Sequence, residues 1–319
     1  MKTIGFLISD KENELRRAIT LEDIKDIKNR KNIFLEKGYG NILGYSDDEF
    51  IAAGCNMLDK KDILLNCDIL CDPKIGDAEC LNFINEKTVF GWIHATQNRD
   101  ILQKLINNKL TAIAWEKMYN NGIHVFHMNN QIAGKAGILH ANIFYGEDIK
   151  NKNVAVLGRG NTAKGCIDIL SRLGANIEIF ARKDERKFIQ NMSRFDLIVN
   201  CVMWDITRKD HIISKHDLEK LKRNCMIIDI SCDKNGAIET SEPTTIESPV
   251  YTINGIQHYV VDHTPSILYR EASREISKEV CKFIDLLITD TLDEVLKKAV
   301  IVDKGKIIDE EIINYHKMI

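Results

Sequence analysis

Short apolar segments alternate with helical patterns in the first part of the chain. Strands are predicted at residues 3–8, 33–36, 69–71, 88–92 and 111–114. Helices are predicted at residues 21–32, with Thr20 as the N-cap, and at residues 47–53, because apolar positions recur there at helical spacing. This alternation is typical of a parallel-sheet α/β domain, here without a glycine-rich phosphate loop.

A second series of apolar segments follows a long predicted helix at residues 128–148. Further strands are predicted at residues 154–157, 176–180, 197–202, 226–230 and 259–261. Apolar side chains then recur at helical spacing between residues 273 and 295, and a strand-like segment at residue 300 precedes a turn at Lys304-Gly305. A helix at 273–295 would pack back onto the first domain.

These patterns predict an α/β protein with two Rossmann-like domains, each built on a parallel sheet, and a cleft between them. The substrate domain is discontinuous and comprises residues 1–127 and 273–319. The dinucleotide-binding domain comprises residues 128–272. We expect the cleft to hold the chemistry, because α/β domains bind ligands at the carboxyl ends of their strands.

A glycine-rich turn directly follows the strand at residues 154–157. Its G-x-G-x-x-A pattern consists of Gly158, Gly160 and Ala163, and a helical segment follows. Gly158 permits a tight turn, Gly160 lets the backbone approach a pyrophosphate, and Ala163 lets helix and strand pack closely. With Asn161 and Thr162 at the start of the helix, this turn is the predicted dinucleotide-binding loop.

The end of the next strand indicates which dinucleotide binds. NAD-binding folds usually place a carboxylate there, which accepts hydrogen bonds from the ribose hydroxyls. In this chain Arg182 and Lys183 follow the strand at residues 176–180, and Asp184 and Glu185 come just afterwards. The two cations favour the 2′-phosphate of NADPH over the bare ribose of NADH. The predicted cofactor-binding set also includes Asp229.

Composition and charge narrow the class of protein. The 319-residue chain has a formal net charge of −3, so nothing in it favours nucleic acid or a membrane surface. Its nine cysteines include no C-x-x-C pair, which favours reduced thiols in a cytoplasmic protein. His124 and His127 lie three residues apart, but no third ligand accompanies them, so we predict no metal site.

Four residues that follow predicted strands are candidates for the chemistry. Arg16 (with its neighbour Arg17 as an alternative) and Lys74 are suited to a substrate carboxylate. His94 can exchange a proton near neutral pH. Asp233 can pair with a substrate ammonium, although its DKNG context would also suit an Asx turn.

The order of these residues resembles the alanine dehydrogenase / pyridine nucleotide transhydrogenase N-terminal superfamily. NELRRAIT at residues 13–20 is similar to the family's N-E-x-R-V-A-x-T, and Asp72-Pro-Lys74 stands where the family has K-x-K-E-P. AIAWE at residues 112–116 and QIAG at residues 131–134 also match. The resemblance covers nearly the whole chain. It implies that Arg16 and Lys74 bind substrate and that His94 and Asp233 are catalytic.

Three features resemble those superfamily members that join an amino acid's side-chain amine to pyruvate with NADPH. They are the GRGNTAKG loop at residues 158–165, the Arg182-Lys183 pair, and VVDHTPSILYR at residues 260–270, where His263 replaces an asparagine. The resemblance implies that pyruvate and the side-chain amine of ornithine or lysine form an imine, which NADPH reduces to a secondary amine.

Three other functions stay open, and a homo-oligomer is expected for each enzyme. An alanine dehydrogenase would use ammonia, but those enzymes mostly use NADH, against which the basic strand ending argues. A saccharopine-type dehydrogenase would join lysine to 2-oxoglutarate. A non-catalytic NADP-binding regulator would not need Arg16, Lys74, His94 and Asp233 together.

Overall fold

A computed structural model describes residues 1–205, 208–234 and 236–318. The chain divides into two compact units, one of Met1–His127 with Tyr269–Ile319 and one of Met128–Leu268. The return to the first unit therefore comes at Tyr269 rather than at the expected residue 273. The reason is that a long helix of the first unit begins at Tyr269.

The secondary structure alternates as the sequence predicts. The strands are β1 (Ile4–Phe6), β2 (Ile33–Glu36), β3 (Asn56–Leu58), β4 (Ile69–Cys71), β5 (Thr88–Gly91), β6 (Thr111–Ala114), β7 (Tyr119–Asn120), β8 (Ile123–His124), β9 (Asn153–Leu157), β10 (Asn176–Phe180), β11 (Leu197–Asn200), β12 (Met226–Asp229), β13 (Val250–Ile253), β14 (Ile256–Tyr259), β15 (Val300–Asp303) and β16 (Lys306–Ile307). The helices are α1 (Leu21–Ile24), α2 (Asp47–Ala52), α3 (Lys60–Asn66), α4 (Arg99–Asn107), α5 (His127–Tyr145), α6 (Asn161–Arg172), α7 (Glu185–Asn191), α8 (Tyr269–Ile288), α9 (Glu294–Ala299) and α10 (Glu310–Met318).

The sheet of the first unit has the order β16-β15-β6-β5-β4-β1-β2-β3. Its strands run parallel from β6 to β3, and β15 joins the β6 edge in the antiparallel direction. Both faces are covered, since Ile69 and Cys71 belong to one apolar cluster and Leu70 belongs to the other. The parallel strands therefore consist of continuous apolar residues.

The sheet of the second unit has the order β10-β9-β11-β12-β14-β13. The strands from β10 to β14 are parallel, and β13 closes the edge as an antiparallel hairpin with β14. Along β9, Val154 and Val156 pack on one face while Ala155 and Leu157 pack on the other. The strand order reverses between β9 and β11, which is where doubly wound folds bind nucleotides. The predicted α/β class with parallel sheets is confirmed.

Three predicted elements differ from those observed. The helix expected at residues 21–32 ends at Ile24, because the backbone amides of Lys28 and Asn29 donate instead to the Asp285 carboxylate on α8. Thr20 makes no side-chain cap; its hydroxyl contacts Ser277 of α8. Tertiary contacts thus override local helix propensity here.

The other two differences concern the end of the chain. The strand expected at residues 259–261 lies at Ile256–Tyr259, and it follows a hairpin turn at Asn254-Gly255, where both residues have positive φ. The helix expected at residues 273–295 is divided into α8 and α9, with a break at Asp290, whose φ is +56°.

None of the helices within the described residues has the length and apolar character needed to cross a membrane.

Candidate active site

The glycine-rich turn between β9 and α6 has the geometry of a phosphate-binding loop. Gly158 has a φ of +108°, and a Cβ there would lie 2.8 Å from the backbone oxygen of Cys201. Gly160 is the N-cap of α6, and a Cβ there would meet no protein atom within 4 Å. Gly158 is therefore needed by the protein backbone, whereas Gly160 leaves space that a ligand can occupy.

The first turn of α6 completes this loop. Asn161 and Thr162 are its first two residues, so their backbone amides belong to the helix N-terminus that binds anions. Ala163 is fully buried against the sheet. The described residues can thus hold a dinucleotide. A tight turn, open space beside the Gly160 backbone and the N-terminus of α6 lie together where the strand order of the second sheet reverses.

A cavity of about 310 Å³ adjoins the loop. Its lining includes Gly158, Gly160, Phe180, Trp204 and three arginines, Arg159, Arg182 and Arg208. Each arginine faces a carboxylate: Arg159 lies 3.6 Å from Asp184, Arg182 lies 3.5 Å from Asp205, and Arg208 lies 2.9 Å from Glu185. The wall of the cavity therefore carries three arginine–carboxylate ion pairs. Lys183 is exposed beside it on the turn after β10.

Asp229 ends β12 and is only 1% exposed. Its Oδ1 accepts hydrogen bonds from Asn200 Nδ2 and from the backbone amides of Ser231 and Cys232, and its Oδ2 accepts one from Ser241 Oγ. Burial raises the pKa of this carboxyl group, although these donors oppose the rise. Asp229 therefore shapes the loop that leads to Asp233 and is not among the residues that line this cavity.

Asp233 lies half-buried in that loop, after the carboxyl end of β12. Its backbone oxygen accepts a hydrogen bond from the amide of Gly236, which closes a turn. This bond is made by the backbone oxygen, whereas the Asx turn that the DKNG sequence suits would use the side chain.

In the first unit, Arg16 is buried and tied to Glu14. Arg16 Nε donates to Glu14 Oε1 at 2.7 Å, and its Nη2 lies 2.5 Å from Glu14 Oε2. The guanidinium also lies over the ring of Trp92, 4.9 Å from the ring centre. Burial alone would raise the pKa of Glu14, but Arg16, and more weakly Lys74, hold it below its usual value. Arg16 is thus held in one fixed orientation.

Lys74 and His94 are linked through Asp77. The Lys74 ammonium lies 3.6 Å from Asp77 Oδ2, and Lys11 lies 3.1 Å from the same oxygen. Burial would raise the pKa of Asp77, but the charges of Lys74, Lys11 and His94 outweigh it and lower this pKa. Lys74 thus acts on both Glu14 and Asp77, and the charges of Arg16, Lys74 and His94 together influence these two carboxylates.

His94 is exposed and has a φ of +54°. Its backbone amide donates to Glu116 Oε1 at 2.6 Å, and that of Ile93 donates to the other oxygen of the same carboxylate. A histidine in the left-handed region costs conformational energy, and such residues concentrate at functional sites. The Glu116 carboxylate therefore holds the backbone at His94 in place.

Arg17, the alternative to Arg16, and three partners that the sequence did not indicate have defined places in the structure. Arg17 donates from its side chain to the backbone oxygens of Leu15, Arg16 and Tyr39, so it has a structural role and does not replace Arg16. Glu14, Asp77 and Arg159 were not singled out. Glu14 stands inside the NELR segment and Arg159 between the two loop glycines, so their positions were the available signal. Asp77 had none.

Comparison with known proteins identifies the family. The family model described as "Alanine dehydrogenase/PNT, N-terminal domain" matches residues 9–133, and "Alanine dehydrogenase/PNT, C-terminal domain" matches residues 180–314. An N(5)-(carboxyethyl)ornithine synthase of Clostridium botulinum is 30% identical over 88% of this chain and 93% of that protein. The chain belongs to the alanine dehydrogenase/PNT family. The resemblance predicted from the sequence is confirmed.

Other curated relatives agree with this assignment, and solved structures share the fold. An N(5)-(carboxyethyl)ornithine synthase of Lactococcus lactis is 30% identical over 86% of this chain and 92% of that protein. Alanine dehydrogenase 1 of Staphylococcus aureus is 21% identical over 97% of this chain and 95% of that protein. A solved L-alanine dehydrogenase superimposes with a TM-score of 0.82 at 18% identity, covering 99% of both chains. A transhydrogenase from Sinorhizobium meliloti gives 0.79 at 16% identity, covering 96% of this chain and 100% of that one.

Membership in this family defines the chain as an enzyme. It is a pyridine-nucleotide-dependent oxidoreductase that acts on CH–NH groups, as the sequence predicts. Of the two histidines that lack a third metal ligand in the sequence, His124 hydrogen-bonds to the backbone oxygen of Trp115 and His127 to that of His124. Within the described residues, no group of three or more histidine, cysteine or carboxylate side chains could hold a metal ion.

Proposed function

We propose that the chain catalyses the NADPH-dependent reductive condensation of pyruvate with the side-chain amine of ornithine or lysine. With ornithine the product is N5-(1-carboxyethyl)ornithine, and water is released. The observation that carries the proposal is the cluster of Arg16, Lys74 and His94, linked through Glu14 and Asp77. The name of relatives that are 30% identical over most of the chain supports the choice of reaction.

Arg16 and Lys74 hold the carboxylate of pyruvate. A guanidinium fixed by Glu14 and by Trp92 loses little side-chain entropy when it binds a carboxylate, so it can orient the keto acid precisely. Lys74, with Asp77 as its neighbour, supplies the second positive charge. The two cations leave the carbonyl carbon of pyruvate open to the amine.

His94 donates a proton to the former carbonyl oxygen. The amine nitrogen bonds to the carbonyl carbon, and this oxygen then departs as water to leave an imine. Protonation of the departing oxygen is a general-acid step, which suits an imidazole near neutral pH. The exposure of His94 supports a side chain that can reach substrate.

Asp233 holds the positive charge of the amine and of the iminium ion. A carboxylate beside a developing cation stabilises it most when water is excluded. Bound NADPH supplies the hydride that reduces the imine carbon. The position of Asp233 after the carboxyl end of β12, on the side of the sheet away from β10, supports this assignment.

The basic residues around the cavity support NADPH as the cofactor. Arg159 and Arg182 have side chains that are 60% and 78% exposed, and each makes a single long contact with a carboxylate. Such contacts exchange readily for a 2′-phosphate, which offers more charge and more acceptors. Lys183 is exposed next to Arg182 and adds to the positive potential.

The test is NADPH oxidation by the purified protein with pyruvate and one amine at a time. Ornithine, lysine and ammonia are supplied at equal concentration, each with NADPH and then with NADH, and products are identified by mass spectrometry. We expect turnover with ornithine or lysine and a higher kcat/KM with NADPH. Turnover with ammonia alone would make the chain an alanine dehydrogenase, and equal efficiency with NADH would refute the cofactor choice.

A further inference from the structure

The cavity beside the glycine-rich loop contains a carboxylate that is already fully engaged. Glu185 begins α7, shortly after β10 ends, and it lines the cavity. Arg208 Nη1 donates to Glu185 Oε2 at 3.0 Å, and its Nη2 donates to Oε1 at 2.9 Å. Both oxygens of Glu185 therefore belong to one bidentate ion pair.

This engagement matters because of what a free carboxylate would do there. Glu185 lies beyond Phe180, the last residue of β10, and on the wall of the cavity, where a free carboxylate would repel a 2′-phosphate. We propose that Arg208 determines the cofactor specificity of this enzyme by occupying Glu185, so that the cavity admits a 2′-phosphorylated adenosine. This inference rests on the cofactor named in the proposed function.

Arg208 differs from the other two arginines of the cavity. Its side chain is only 19% exposed, and its guanidinium lies over Trp204, 4.5 Å from the ring centre. Asp210 accepts hydrogen bonds from Arg208 Nε at 2.8 Å and from Nη2 at 2.7 Å. Arg208 is thus held by two carboxylates and an indole, a geometry that a guanidinium satisfies and an ammonium does not.

These differences divide the arginines into two roles. Arg159 and Arg182 are exposed and make single contacts at 3.6 and 3.5 Å, so they are available to a phosphate. Arg208 has its donors committed to Glu185 and Asp210. Arg208 is therefore a positioning residue, which acts on the phosphate through Glu185 and not by direct contact.

The experiment is a double-mutant cycle with Arg208→Gln, Glu185→Gln and the double variant. Isothermal titration calorimetry measures the affinity for adenosine 2′,5′-bisphosphate and for AMP, which differ only in the 2′-phosphate. We expect Arg208→Gln to reduce the preference for the bisphosphate by about tenfold, because Glu185 is released. In the Glu185→Gln background, the same change should alter the preference by less than about twofold.

Two further variants complete the design. Arg208→Lys keeps the positive charge but cannot occupy both oxygens, so it should reduce the preference as Arg208→Gln does. Arg172→Gln removes an arginine that pairs with Asp168 on α6, outside the cavity lining, and should change nothing. If thermal melting shows that Arg208→Gln does not fold, Glu185→Gln alone tests the proposal. This variant should preserve or increase the preference for the bisphosphate over AMP.

The proposal is overturned if Arg208→Gln leaves the preference for the bisphosphate unchanged. It is also overturned if Arg208→Gln reduces this preference equally in the wild-type and the Glu185→Gln backgrounds. The second result would mean that Arg208 contacts the phosphate itself. Failure of the proposed function would look different. A wild-type protein with no preference for the bisphosphate would refute NADPH as the cofactor, and absence of turnover would refute the reaction, whereas the cycle measures only binding.

Discussion

Glu14 and Arg16, two residues apart in the sequence, form a buried bidentate ion pair in the substrate unit. Glu14→Gln keeps the size of the side chain but leaves the guanidinium without its counter-charge. We expect kcat/KM for pyruvate to fall by at least about tenfold, and unfolding to become easier by about 3–5 kcal/mol. NADPH affinity should not change. Steady-state kinetics, fluorescence titration and thermal melting check these expectations, with exposed Glu12→Gln as the control.

The two glycines of the nucleotide loop should respond differently to alanine. Gly158→Ala forces a positive φ on a side chain and brings its Cβ close to the Cys201 oxygen, so it should cost about 1–3 kcal/mol of stability. Gly160→Ala meets no protein atom, so its melting temperature should match the wild type while its dissociation constant for NADPH rises at least about tenfold. Equal NADPH affinity in Gly160→Ala and wild type would contradict this division.

His94→Asn tests the general acid. Asparagine tolerates the left-handed backbone that His94 adopts, so the variant should fold, and it can hydrogen-bond but cannot exchange a proton. We expect kcat to fall roughly 10²–10⁴-fold while NADPH affinity stays the same. His94→Ala should lose at least as much. Near-normal kcat in His94→Asn would assign the residue a structural role.

Asp233→Asn removes a charge and keeps size and hydrogen bonding. If the carboxylate holds the cationic amine, turnover of pyruvate with ornithine should drop by at least about 10²-fold, and Asp233→Ala should be no better. NADPH binding, measured by fluorescence, should change little in both variants. Wild-type kcat/KM in Asp233→Asn would leave Asp233 as a turn residue only.

Asp72 should make stability depend on pH. Burial raises the pKa of Asp72 to about 7, and the charge of Glu14 adds to the rise. In the unfolded chain the pKa of this carboxyl group is about 3.9. Between about pH 4 and pH 7 the folded protein therefore binds a proton that the unfolded chain has released. Stability should therefore fall as pH rises through this window. Asp72→Asn, which can still accept the Lys74 amide, should show a smaller fall in melting temperature. Parallel pH curves would contradict this assignment.

The features that the sequence could predict are those set by local pattern. The glycine loop, the parallel strands with both faces buried, and the placement of Arg16, Lys74 and His94 after strands all follow from residue type and spacing. The Asn254-Gly255 turn carried an equally local signal for the hairpin that was not predicted.

The remaining features depend on contacts between distant residues. Asp285 of α8 ends the helix that begins at Leu21, and no local property of residues 21–32 indicates this. Similarly, the sequence places Asp229 at the end of a strand, where ligands bind. It does not show that Ser241 and Asn200 donate hydrogen bonds to the Asp229 carboxylate. Ion pairs such as that of Glu185 with Arg208 join segments whose pairing only the folded sheet determines.

The interrupted first unit also bears on the order in which the chain folds during synthesis. Its core contains Ile276, Val280 and Ile284 of α8, and its sheet edge at β6 is covered by β15. The nucleotide unit, Met128–Leu268, is complete before these segments leave the ribosome. We therefore expect the nucleotide unit to be able to fold first during synthesis, while the first unit closes its core only once α8 and β15 have been made.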